Sequence, residues 1–303
     1  MTRHLVIGAS GLIGEHLTKM LKDTGENLLT TYHTHPIPLA EKLDVSQPNQ
    51  VRILLKAWKP NIIFLPAALT NVDYCENHRD EAYNTNVNGV RNIVTISNLI
   101  GARLIYFSTD YIFDGTAGPY DEEAVANPQN VYGQQKLIAE HYIASRAFKY
   151  LIIRTTIVYG RETQEKNFVY RLINSLTKGV AVKVPYDQAG TPTYAPDLAK
   201  HAIKLARLNL NDVINIVGPN WISRLDFARE ISKVFNLPKQ LIISTKTQEL
   251  NQLAERPLIA GLKNKKAQLL LHTNFTSISE GLKLMQSQVI QSFQSSIESK
   301  ALD

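Results

Sequence analysis

Leu5-Val6-Ile7-Gly8-Ala9-Ser10-Gly11-Leu12-Ile13-Gly14 joins a short apolar run to a helical pattern through three glycines spaced three apart. Leu5-Val6-Ile7 reads as a buried strand. Leu12, Ile13, Leu17, Met20 and Leu21 fall on one face of a helix over residues 12–22. Glycine lets the backbone turn tightly and approach a pyrophosphate closely. The helix N-terminus then offers free N–H groups and the positive end of its dipole. After the first strand of an α/β chain, this loop implies a dinucleotide site. The bland alternative is a glycine-rich turn needed only for packing.

The same rhythm continues outward. Strands are predicted at Leu28–Tyr32, Ile62–Leu65, Leu104–Phe107 and Leu151–Ile153. A helix opens at Ser46 and Pro48 and carries Val51, Leu54, Leu55 and Trp58 on one side. Residues 79–100 read as one long helix with Ala82, Asn86, Val90, Ile93, Val94 and Ser97 inward and Gly101 as its C-cap. Another helix is predicted near 132–147. Short apolar runs alternating with helices indicate a parallel sheet covered on both faces. Past residue 160 the rhythm loosens. Helices are predicted near 167–177 and 196–208, with strands at Val180–Val184 and Val213–Val217, the latter returning to the main sheet. Ser223 with Asp226, and Ser277 with Glu280, resemble capping boxes. The fold class is α/β: a doubly wound parallel sheet of Rossmann type, with a smaller mixed α/β C-terminal part.

The chain has 303 residues, 44% hydrophobic and 20% charged, which excludes a disordered or collagen-like protein. Its net charge is +6. Residues 1–160 carry 14 basic and 15 acidic side chains, and residues 161–303 carry 19 and 12. The excess therefore lies in the second half, as a solvated basic face or a contact for an acidic ligand. The longest basic cluster is Lys263-Asn264-Lys265-Lys266, without interleaved aromatics, so no nucleic-acid partner is expected. No apolar run reaches the ~18 residues of a membrane span. The single cysteine, Cys75, cannot form an intramolecular disulfide, and the N-terminus reaches Gly8 too soon for a signal peptide. A cytoplasmic location is the default expectation.

An acidic residue usually ends the second strand and binds a ribose hydroxyl. Here that stretch is Thr30-Thr31-Tyr32-His33-Thr34-His35, with no carboxylate and no arginine. NADP(H) is the preferred cofactor on this ground and NAD(H) remains possible. His33 is a candidate for the phosphate or ribose, and Asp44-Val45 for the adenine edge. His33 and His35 show no metal-ligand spacing, and no metal is expected.

Tyr132 and Lys136 stand four apart at the start of a predicted helix, one turn from each other. A neighbouring ammonium makes a phenol, whose ordinary pKa is ~10, a better proton donor or acceptor near neutrality. Such a pair alone occurs on many helices. Here Phe107-Ser108-Thr109-Asp110 ends a sheet strand upstream, where parallel sheets bind ligands. Thr109 there is suited to hold a substrate oxygen.

With these residues the chain resembles the extended short-chain dehydrogenase/reductase family, and within it the dTDP-4-dehydrorhamnose reductase group. Phe107–Gly115 (FSTDYIFDG), Pro119–Glu122 (PYDE), Asn130–Glu140 (NVYGQQKLIAE) and Asp187–Thr193 (DQAGTPT) carry the likeness, with Arg256-Pro257, Leu262 and Lys266 near the end. It covers about residues 4–285. The resemblance implies an NAD(P)-binding part over residues 1–160, with a returning segment near 195–220, and a substrate-binding part over 161–303. It implies reduction of a 4-keto group on a nucleotide-linked 6-deoxy sugar. Tyr132 would be the general acid, Lys136 its pKa-lowering and ribose-binding partner, and Thr109 the third catalytic member. Gly8, Ser10, Gly11, Leu12, Ile13, Gly14, Tyr32, His33, Asp44, Val45, Ala67, Ala68, Asn86 and Thr155 would hold the cofactor, with Arg154 and Thr156 near the nicotinamide. Val72, Asp73, Asp110, Tyr111, Asn167, Phe168, Gln188 and Arg256 would lie toward the substrate, with Arg224 and Arg256 as candidates for its diphosphate. Alternatives are another nucleotide-sugar epimerase or reductase, or a regulatory subunit resembling the methionine adenosyltransferase β subunit. Met285, Val289, Phe293 and Ile297 form a narrow apolar stripe at steps of four. It would pack on the body or on a partner subunit, and a homodimer is one assembly it allows.

Overall fold

Short apolar strands send alternate side chains to the two faces of one sheet, and helices cover both faces. A computed structural model describes the backbone of residues 2–300 and the side chains of residues 2–291. The chain begins with β1 (Arg3–Ile7), α1 (Leu12–Asp23), β2 (Asn27–Tyr32), β3 (Glu41–Lys42), α2 (Pro48–Trp58) and β4 (Ile62–Leu65). There follow α3 (Val72–Asn77), α4 (Arg79–Tyr83), α5 (Gly89–Ile100), β5 (Arg103–Thr109), α6 (Val131–Arg146), β6 (Tyr150–Thr155) and β7 (Val158–Tyr159). Next come α7 (Phe168–Thr177), β8 (Val182–Pro185), β9 (Ala189–Gly190), β10 (Thr193–Tyr194), α8 (Ala195–Ala206) and β11 (Asp212–Asn215). The chain closes with β12 (Ile222–Ser223), α9 (Arg224–Val234), β13 (Ile242–Thr245), α10 (Lys265–Leu271) and α11 (Ile278–Lys300).

The central sheet has seven parallel strands in the order β11-β6-β5-β4-β1-β2-β3. The chain leaves β1 in one direction for β2 and β3 and returns on the other side at β4. That reversal opens a crevice beyond the carboxyl ends of β1 and β4. Val6, Phe64, Ile105 and Ile153 face one side, against Leu17 and Leu21 of α1 and Leu198, Ala202 and Leu205 of α8. Leu5, Ile63, Leu104 and Ile152 face the other, against Leu55, Ile93 and Ile143 of α2, α5 and α6. Each such side chain, fully buried, stabilises by about 1.5–3 kcal/mol. The returning strand is real: β11 pairs with β6, Val213 opposite Ile152.

A second core lies beside the sheet. Tyr159, Val169, Leu172, Leu176, Phe227, Ile231, Leu282 and Met285 pack together from β7, α7, α9 and α11. Val289 joins them, so the described part of the C-terminal stripe packs on the body. The side chains of Phe293 and Ile297 lie outside the described residues. The box at Ser277 forms, with Ser277 N donating to Glu280 at 3.0 Å and Glu280 N to Ser277 Oγ at 3.4 Å, whereas at Ser223 the N-cap half forms, its Oγ accepting from Asp226 N at 3.0 Å.

One expected element differs. Residues 79–100 are not a single α-helix, because Asn84–Asn88 widen into a π turn between α4 and α5. The reason is visible in the spacing. Ala82, Asn86 and Val90 are all buried at steps of four, longer than the α-helical 3.6. The wider turn keeps Asn86 inward. The short helix α3 was also not anticipated.

Candidate active site

Gly8 has φ +95°, the left-handed region that glycine tolerates. A Cβ there would lie 2.9 Å from Ala67, two residues after β4, whose N–H donates to Ile7 O. A Cβ on Gly14 would lie 2.1 Å from Gly8 O. These two glycines press α1 against the loop. Gly11 N-caps α1 without a side-chain cap, leaving the first N–H groups free for an anion.

Above this loop runs a cleft of about 660 Å³. It brings together Gly8, Ser10, Gly11, Leu12, Ile13 and Gly14 with Tyr32, His33, Asp44, Val45, Ala67 and Ala68. At its other end stand Thr109, Tyr132, Lys136, Thr155 and Asn167. Asn86 stands behind the wall. Its Oδ1 accepts from Leu69 N at 2.9 Å, and its Nδ2 donates to Leu69 O and to Gln135 Oε1. It thereby ties the segment after β4 to α6.

Helix α6 enters the site through its cap. Asn130 Oδ1 accepts from Gly133 N at 2.8 Å, and a Cβ on Gly133 would lie 2.1 Å from Tyr111 O. The resulting close approach sets the Tyr132 ring edge-on to Tyr111, with Val72, Cys75 and Ala82 as its apolar surround. Burial pushes the Tyr132 phenol well above its ordinary value. Cys75 adds to the rise, and a hydrogen bond with Thr109 opposes it. The sequence led us to expect a fall. The structure gives the reason for the difference: burial of the phenol dominates, and the Lys136 ammonium has its own partner. Its Nζ donates to Phe107 O at 2.6 Å and sits 4.0 Å from the centre of the Tyr106 ring. Burial pushes the ammonium down to about 7, with Glu140 pulling the other way.

The expected substrate residues divide. Asn167 lines the cleft and caps α7, accepting from Val169 N at 3.1 Å. Val72, Asp110, Tyr111, Phe168, Gln188 and Arg256 do not line it. Asp110 is buried and accepts from Gly261 N at 3.1 Å, and burial pushes its carboxyl up to about 6. Arg256 is committed to Asp73, 2.9 Å away. Phe168 stacks on Phe227 and carries the Arg224 guanidinium 4.4 Å from its ring centre. Arg224 N donates to Gln188 O, while Arg224 Nη1 and Gln188 Nε2 are buried without a partner. Arg154 is turned away from the cleft. Its Nη2 donates to Glu140 at 2.8 Å and its Nη1 to Glu122 O. Ser108, Gln164 and Lys166 line the cleft but were not anticipated. For Ser108 the signal was available, because it sits at the carboxyl end of β5. Gln164 and Lys166 carried none.

The cleft fits a dinucleotide. The glycine loop leaves room and bare N–H groups for a pyrophosphate. At the other end the hydroxyls of Ser108 and Thr155, both lining the cleft, are buried without a protein partner. A nicotinamide and its ribose bring hydrogen-bonding groups of the kind these hydroxyls lack. Fold and site thus define a dinucleotide-binding oxidoreductase of the extended short-chain dehydrogenase/reductase type.

Residues 2–291 match the family described as RmlD substrate binding domain, and the chain belongs to that family. A dTDP-4-dehydrorhamnose reductase of Aggregatibacter actinomycetemcomitans is 31% identical over 85% of this chain and 89% of its own length. The methionine adenosyltransferase 2 subunit beta of Danio rerio is 29% identical, covering 88% of this chain and 80% of that protein. Among solved structures, the dTDP-4-dehydrorhamnose reductase of Bacillus anthracis in complex with NADP superimposes with a TM-score of 0.87. It is 30% identical over 95% of this chain and 100% of that one. Among the described residues, no helix is long and apolar enough to cross a membrane.

Proposed function

We propose that this chain is an NAD(P)H-dependent reductase of a nucleotide-linked 4-keto-6-deoxy sugar, most like dTDP-4-dehydrorhamnose reductase, with NADP(H) favoured and NAD(H) usable. The observation that carries the reading is the meeting of Thr109, Tyr132 and Lys136 at one end of a dinucleotide cleft. Bound there, the reduced nicotinamide supplies hydride to the carbonyl carbon. Tyr132 gives its proton to the oxygen on which charge develops, and its raised pKa keeps that proton on the phenol until then. Thr109 Oγ1 holds the same oxygen. Lys136, anchored on Phe107 O, is placed to bind the ribose. Asn86 holds the cleft wall and α6 in register.

The unpartnered donors of Arg224 and Gln188 support an anionic substrate, since a diphosphate would satisfy both. We read residues 1–160, with the returning segment near 195–220, as the cofactor part and 161–303 as the substrate part. A cytoplasmic homodimer without nucleic-acid partners completes this reading. The likeness to the methionine adenosyltransferase subunit favours a second reading, a non-catalytic regulatory chain that keeps the dinucleotide pocket.

The test supplies purified protein with NADPH or NADH and a dTDP-4-dehydro-6-deoxy sugar, and follows loss of the near-ultraviolet absorbance of the reduced nicotinamide. Turnover is expected. If no nucleotide 4-ketosugar is reduced and a methionine adenosyltransferase catalytic subunit co-purifies stoichiometrically, the second reading replaces the first.

A further inference from the structure

Residues 161–167 run from β7 to α7, and Glu162, Gln164, Lys166 and Asn167 among them line the cleft. Their path is tied down at several points. His16 Nε2 is 2.9 Å from Arg161 O. The Glu15 carboxylate accepts from Thr163 N at 3.1 Å and from its hydroxyl at 3.2 Å. Gln164 Nε2 donates to Ser10 O, in the glycine loop, at 2.6 Å. Beyond these ties, Lys166 Nζ reaches the turn after β2 and lies 3.1 Å from His35 Nε2.

An ammonium has donors only, so Lys166 donates and the imidazole nitrogen accepts. That contact uses one of three donors. Lys166 and His35 both line the cleft, and among the described residues neither is ion-paired with a carboxylate. Asp44, on the same side, accepts from Ser46 N and Oγ and faces His33 Nε2 at 3.9 Å. The end of β2 is where a Rossmann sheet meets the 2′ position of the adenosine ribose. A carboxylate there would repel a phosphate. This chain has none in Tyr32–His35, and it brings in a lysine from a distant segment instead.

We propose that Lys166, carried to the cleft by the 161–167 strap and oriented by His35, binds the 2′-phosphate of the cofactor and sets a preference for the phosphorylated dinucleotide. The proposal rests on the reading of the cleft as an NAD(P)H site. A phosphate monoester carries up to two negative charges, and hydrogen bonds to it from an ammonium are among the strong ones. The strap is needed because a flexible lysine loses side-chain entropy on binding, and the ties at Ser10 and Glu15 set its starting point.

Calorimetric titration with four probes tests this: NADP+, NAD+, 2′,5′-ADP and 5′-AMP. The wild type is expected to favour the 2′-phosphorylated member of each pair. Lys166→Ala should weaken NADP+ and 2′,5′-ADP by about tenfold or more, and NAD+ and 5′-AMP by less than about twofold. Lys166→Arg should keep most of the preference. Equal weakening of all four probes would make Lys166 a structural tie, and no weakening of any would remove it from the site. Either outcome overturns the proposal. A wild type that binds neither dinucleotide overturns the cleft reading itself, before any variant is made.

Discussion

Arg154 at the end of β6 and Glu140 on α6 form a forked ion pair inside the protein. Arg154 Nη2 lies 2.8 Å from Glu140 Oε2, and Nε lies 3.2 Å from both carboxylate oxygens. The pair locks to the sheet the helix that carries Tyr132 and Lys136. Removing one partner leaves a buried charge uncompensated, at a cost of about 3–5 kcal/mol. Glu140→Gln should therefore lower Tm sharply, and Glu140→Leu with Arg154→Met should lower it less. A Glu140→Gln protein that melts with the wild type contradicts the pairing.

Tyr132→Phe keeps the ring against Tyr111 and removes the only group assigned to deliver a proton. We expect kcat to fall by about 10²–10⁴. Dinucleotide affinity, measured by fluorescence titration, should stay within a few-fold. Reduction at the wild-type rate would remove Tyr132 from the chemistry.

Gly14→Ala would put a methyl carbon 2.1 Å from Gly8 O and 2.7 Å from Ala9 Cα, both backbone atoms. Helix α1 must move away from the glycine loop. Overpacking of this kind costs about 1–3 kcal/mol or more. The expected outcome is a lower denaturant midpoint together with weaker dinucleotide binding; an unchanged dissociation constant would show that α1 does not shape the cleft.

Arg224→Met separates stability from binding. The guanidinium sits over Phe168 with Nη1 buried and unpartnered, so its removal should leave Tm unchanged or raise it. Affinity for dTDP as a probe should fall by about tenfold or more. A large loss of Tm with dTDP binding intact would make Arg224 structural.

Asp110 gives a pH dependence with a definite sign. Burial raises its carboxyl from 3.8 to about 6, so the folded state holds the proton more tightly than the unfolded chain. Its contribution is fully present below about pH 4 and is lost as pH rises through about 6. The span corresponds to about 3 kcal/mol. Asp110→Asn should flatten that part of the stability curve, measured by urea unfolding between those two pH values. An unchanged slope would mean Asp110 titrates normally.

Much of this was legible in advance, for local reasons. Strand alternation and helix period follow from which neighbours are apolar. The turn at Gly8 follows from a backbone angle that few other residues adopt. The inward step of four from Ala82 to Asn86 to Val90 already carried the π turn, although it reads as an ordinary helix until the burial is seen. Arg154 misled because a strand end is ambiguous by one residue. It shares parity with Ile152, whose face meets α5 and α6, so its side chain goes to Glu140 while Thr155 lines the cleft.

From sequence alone came the doubly wound α/β class, the glycine loop and the helical spacing of Tyr132 and Lys136. All depend on residues a few positions apart, whose geometry the local backbone dictates. Only the tertiary structure decided what those side chains face. It put the Lys136 ammonium on Phe107 O, 29 positions away, and buried the Arg224 and Gln188 donors without partners. It also laid Gln164 on Ser10, 154 positions apart. Such contacts depend on loop paths and on which groups packing strips of water, and neither is written in the spacing of residues along the chain.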